Sequence, residues 1–120
     1  MLFHITTEAE WQLARAQGAH RASLDREGFI HLSTERQWLA VANRLFAGRT
    51  DLLLLVIDEA RLRPEVRYER VDGDDYPHLF GALEVDAIIA AHALLVDASG
   101  AICAPAALFP PARRRDTERA

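Results

Sequence analysis

Ser23-Leu24-Asp25-Arg26-Glu27-Gly28-Phe29-Ile30-His31-Leu32-Ser33-Thr34 is the stretch around which the rest of the chain is read. With side chains alternating along a strand, Phe29, His31 and Ser33 share one face, and Ile30 and Leu32 take the other. His31 therefore looks out of a sheet beside a ring and a hydroxyl. Thr34 is followed three residues later by Gln37, the pattern of a capping box, so a helix is expected from Glu35 to Phe46. Trp38, Leu39, Val41, Ala42, Leu45 and Phe46 recur there at helical spacing. His31 is thus expected near a strand-to-helix junction. A lone histidine in such a place is usually structural, so its neighbours along the chain decide its weight.

Working outward, Asp51-Leu-Leu-Leu-Leu-Val-Ile-Asp58 is a continuous apolar run bounded by charges, which predicts a central strand buried on both faces. Leu2 to Thr6 predicts a first strand interrupted by His4. Thr7 with Glu10 caps a short helix that Gly18 ends. His20 to Ser23 reads as an extended piece and Asp25 to Gly28 as a turn. Val66 to Val71 alternates as a strand, Asp72-Gly73-Asp74-Asp75 is a turn, and Tyr76 to Leu83 is an extended segment carrying His78. Ala87 to Val96 is read as strand, with Asp97-Ala98-Ser99-Gly100 turning into Ala101-Ile102-Cys103. Together these predict an α+β domain.

The 120 residues allow one core, assigned to residues 1–109, with 110–120 as a charged, disordered tail. The longest apolar run is too short to cross a bilayer, and the N-terminus lacks a secretory pattern, so a cytoplasmic location is expected. The net charge is −4, and Arg113, Arg114, Arg115 and Arg119 confine the basic cluster to the tail. That balance argues against general nucleic-acid binding. All 14 basic residues are arginine, which removes Schiff-base and phosphate-loop lysine chemistry. A single cysteine, Cys103, excludes an internal disulfide.

His4, His31 and His78 each interrupt an apolar extended segment, and together they predict one shared cleft. Three imidazoles can also hold a metal with an open fourth position, although their spacing matches no local metal motif and no metal is expected. Asp58 and Glu69 are the carboxylates placed to reach a cleft at a sheet edge. Glycine-rich phosphate loops, dinucleotide fingerprints and nucleophile elbows are absent from the sequence.

Phe3-His4-Ile5-Thr6, Glu27-Gly28-Phe29-Ile30-His31-Leu32-Ser33, Val41-Ala42-Asn43-Arg44, Ile57-Asp58, Tyr68-Glu69 and Pro77-His78-Leu79-Phe80-Gly81 together resemble the bacterial family known as domain of unknown function 952. Leu32 stands where that family often has cysteine, and Ala82 where it usually has proline. The family is similar to the ADP-ribosyltransferase superfamily, in particular its histidine-bearing branch. The resemblance implies a bent, split antiparallel β-sheet with two main helices, holding NAD in its cleft. It implies catalytic roles for His4, His31 and His78, with His4 on a ribose of the nucleotide; the transferase glutamate is not matched at the third position, and Glu69 is taken as the catalytic carboxylate from its place in the strand. Ser33 and Thr34 would supply hydroxyl contacts, Tyr76 or Phe80 a stacking ring, and Arg44 with Arg21 the pyrophosphate contacts. The expected function is binding of NAD or an ADP-ribose-type nucleotide, with transfer or hydrolysis of ADP-ribose to an acceptor that the sequence does not name. The alternatives are a non-catalytic nucleotide-binding module and a three-histidine metal-dependent hydrolase.

Overall fold

The computed structural model describes residues 1–106; the tail expected over 110–120 lies outside them. The apolar run forms strand β4 (Leu52–Ile57), all six residues buried, at the centre of a three-stranded sheet. Its neighbours are β1 (Leu2–Thr7) and β8 (Ile88–Ala93), both antiparallel to it. Alternation along β4 feeds two cores. Leu55 and Ile57 join Leu2, Ile30, Leu32 and Leu79 on one side. Leu52, Leu54 and Val56 join Phe3, Trp38, Ala42 and Ile102 on the other. The run is unbroken because both faces need apolar side chains.

A second three-stranded sheet runs in the order β3 (Ile30–His31), β6 (Asp74–Phe80), β5 (Glu65–Val71). Its hairpin closes on Asp72 and Gly73, both with positive φ (50° and 84°), the backbone of a two-residue type I′ turn. The organising stretch connects the two sheets. Ile30 and His31 pair with Leu79 and His78, Leu32 N–H donates to the Pro77 carbonyl, and Ser33 exchanges two 2.8 Å backbone bonds with Phe3. Smaller antiparallel pairs join β2 (Ala19–His20) to β7 (Leu83–Glu84) and β9 (Leu95–Val96) to β10 (Ile102–Cys103). Every pairing between named strands is antiparallel, and the strands fall into separate sheets, so the architecture is α+β.

Helix α1 (Glu8–Gln17) is capped as its sequence predicts: the Thr7 hydroxyl accepts from Glu10 N–H, and Gly18 takes a left-handed φ of 85°. Two local readings are corrected. Asp25 to Gly28, expected as a turn, falls in a single helical turn, α2 (Leu24–Glu27), ended by Gly28. The long helix, α3 (Trp38–Phe46), begins at Trp38 rather than Glu35, and the Thr34 hydroxyl makes no cap. Gln37 explains why. Its buried amide nitrogen donates to the Asp74 carboxylate (3.0 Å) and the Asp75 carbonyl (2.7 Å), while its oxygen accepts from Thr34 N–H. Contacts to a distant hairpin thus displace the local capping geometry. Further along, Gly81 packs against Pro64, where an added Cβ would lie 2.5 Å from the proline Cβ.

Candidate functional site: a histidine-lined cleft

A cleft of about 480 Å³ opens beside the seam between the sheets, within the size range of small-molecule sites. Four imidazoles line it: His4 from β1, His20 from β2, His31 from β3 and His78 from β6. His31 and His78 face each other across the β3–β6 register, with ring centroids 5.3 Å apart. His4 reaches the same place because Ser33 is tied to Phe3, its neighbour on β1. Its Nδ1 bonds the His31 carbonyl at 2.7 Å.

The hydrogen bonds fix the protonation of His4. A carbonyl only accepts, so Nδ1 carries the hydrogen. Burial, with His20 close by, pushes the His4 pKa down to about 4, so the ring is neutral at pH 7 and Nε2 is a lone pair. That lone pair accepts from His20 Nε2–H at 3.1 Å. Burial also lowers the His20 pKa, and nearby Glu10 only partly offsets this. His4 and His20 are therefore a neutral, mutually oriented pair.

His31 and His78 each have a carboxylate partner. His31 Nε2 lies 2.6 Å from Glu27, and its side chain is 56 % exposed. His78, only 4 % exposed, donates Nδ1–H to Glu69 at 2.7 Å and stacks on Phe29 with centroids 4.3 Å apart. No described residue bonds His78 Nε2, and the atom is not sealed from solvent.

The arginines divide by position. Arg21, Arg36, Arg49, Arg61, Arg63, Arg67 and Arg70 all pair with carboxylates, and Arg15 lies over Trp11. The two that line the cleft, Arg26 and Arg44, have no carboxylate partner among the described residues. Glu10 lines the same cleft, so two guanidinium groups stand against one carboxylate, a positive excess that suits an anion.

Of the residues singled out in the sequence, His4, His31, His78, Ser33, Arg44 and Tyr76 line the cleft. Glu69 does not line it but accepts a hydrogen bond from His78 Nδ1–H. Thr34 lies outside the lining, its hydroxyl buried without a partner, because Gln37 draws the following turn toward the hairpin. Phe80 is also outside. Its ring packs on Phe29 and under Arg67, whose guanidinium carbon is 4.4 Å from the ring centroid. Arg21 is held by Asp25 and does not reach the cleft. Asp58 caps the turn at Ala60 instead of entering a site. Among the described residues no group of three or more His, Cys, Asp or Glu is arranged to hold a metal ion. His20 and Arg26 were missed. His20 sits in a two-residue strand too short to show a pattern, and Arg26 in a stretch that reads as a turn.

The fold and site define an α+β protein of antiparallel sheets with a cationic, histidine-lined cleft. The chain belongs to the family described as protein of unknown function (DUF952), whose model matches residues 5–91. It is similar to protein CC0527 from Caulobacter crescentus. The crystal structure of that protein is 30% identical over 92% of this chain and 98% of its own, with a TM-score of 0.78. The solution structure of the same protein is 32% identical over 84% of this chain and 89% of its own, with a TM-score of 0.71. No curated protein matches. Among the described residues no helix is long and apolar enough to cross a membrane.

Proposed function

We propose that the cleft binds NAD or an ADP-ribose-type nucleotide, as in the ADP-ribosyltransferase superfamily, and that the protein transfers or hydrolyses ADP-ribose in the cytoplasm. The observation that carries the reading is that Arg26 and Arg44 line the cleft unpaired while most other described arginines have carboxylate partners. A pyrophosphate between them would supply the missing negative charge, and Arg can bond it with two N–H groups at once. His20, neutral and with no bond at Nδ1 among the described residues, suits a ribose hydroxyl, because it bonds one without adding charge. Tyr76 offers a ring for a base to pack on.

Calorimetric titration with NAD and with ADP-ribose tests this. One nucleotide should bind per chain. Arg26→Ala and Arg44→Ala should each weaken binding about tenfold, the equivalent of one charge-assisted bond, and the remaining affinity should fall as salt rises. Nicotinamide appearing with time separates an enzyme from a binding module. If neither nucleotide binds, the assignment is wrong.

A further inference from the structure

We infer that Glu69 and His78 form an orienting dyad whose free imidazole nitrogen takes the proton from a hydroxyl acceptor attacking the bound nucleotide, a role that rests on the nucleotide reading of the cleft. His78 lines the cleft, its Nδ1 edge is held by Glu69, and its Nε2 has no partner among the described residues. Holding the hydrogen on Nδ1 leaves Nε2 as the lone pair, the tautomer that a general base needs. The ring is fixed in place: Phe29 covers one face at 4.3 Å, His31 meets it edge-on at 5.3 Å, and the β5–β6 pairing sets the backbone beneath Glu69 and His78. His31 is a weaker candidate, since its side chain is more than half exposed and its Nε2 already meets Glu27.

The charge of the cleft selects the acceptor. A cationic lysine or arginine acceptor meets repulsion from Arg26 and Arg44 that the single carboxylate of Glu10 only partly offsets, whereas a neutral water or alcohol oxygen enters without repulsion. In the step, the acceptor oxygen forms a bond to the ribose carbon that carries nicotinamide, and the carbon–nitrogen glycosidic bond breaks. Its electron pair leaves with nicotinamide, which becomes neutral. The acceptor's proton passes to His78 Nε2 and then to solvent. His78 is the catalytic residue in this scheme and Glu69 the positioning residue.

The test uses Glu69→Gln and Glu69→Asp in the full chain, because the Glu69 side chain is 43% exposed and tolerates change, whereas His78 is buried. NAD affinity is measured by calorimetry, and kcat and KM from nicotinamide release. Glu69→Gln should lower kcat about 10–100-fold with KM and affinity unchanged, and Glu69→Asp should restore part of it. An unchanged kcat would overturn the dyad. Wild-type protein that binds NAD without releasing nicotinamide would overturn it too, while leaving nucleotide binding intact. Failure to bind NAD would remove the reading of the cleft and the dyad with it.

Discussion

Leu55→Ala is expected to cost about 2–5 kcal/mol of folding stability. Leu55 is fully buried at the middle of the central strand, packed with Leu2, Ile30, Leu79 and Leu83. The loss combines the transfer energy of the removed atoms with the cavity they leave, and a strand flanked on both sides cannot relax into that space. A loss of this size is a large fraction of the roughly 5–15 kcal/mol that holds a domain together. Leu13→Ala is the control, since Leu13 is 52% exposed on α1, and it should shift stability by no more than about 0.5 kcal/mol. Urea denaturation of both variants checks this. A Leu55→Ala cost below about 1 kcal/mol would mean that β4 is not the packed centre of the fold.

The second large effect is a fall in stability with acid, traceable to His4. Burial and the nearby His20 lower its pKa from 6.5 to about 4 in the folded chain. Above pH 6.5 the ring is neutral in both states and contributes no pH dependence. Between 6.5 and 4 the unfolded chain takes up a proton that the folded chain refuses, so stability falls as pH falls through this window. The full shift corresponds to about 3 kcal/mol. His20, shifted in the same direction, adds to the slope. Denaturation midpoints measured from pH 7.5 to 4 should drop for the wild type and drop less for His4→Asn, which does not titrate. Equal slopes for the two proteins would contradict the half-buried, neutral His4.

These effects also mark how far the sequence could be read. The β4 run was legible because burial on two faces compresses into an uninterrupted apolar string. The Asp72-Gly73 turn and the Thr7 cap were legible because each depends on residues a few positions apart. The start of α3 was misread because Gln37 answers to Asp74 and Asp75, contacts that no local pattern contains. The site was partly legible for the same reason. His4, His31 and His78 stood out as polar breaks in apolar strands, but their convergence depends on the His31–His78 register and the Phe3–Ser33 bridge. Which arginines are paired is likewise a property of the folded surface. Arg21 and Arg26 look equivalent in the sequence, yet Asp25 holds one and the other lines the cleft.

His31→Ala, measured by ADP-ribose titration and thermal melting beside Ser99→Ala in the Asp97–Gly100 turn, tests the central claim most directly. His31 is more than half exposed, and the His4 bond uses its backbone carbonyl, which the substitution keeps. A ligand-binding His31 predicts an affinity loss of about tenfold with a stability change under about 1 kcal/mol, and no change of either kind in Ser99→Ala. Unchanged ADP-ribose affinity together with a clear loss of stability would make His31 a structural residue and contradict the cleft as a nucleotide site.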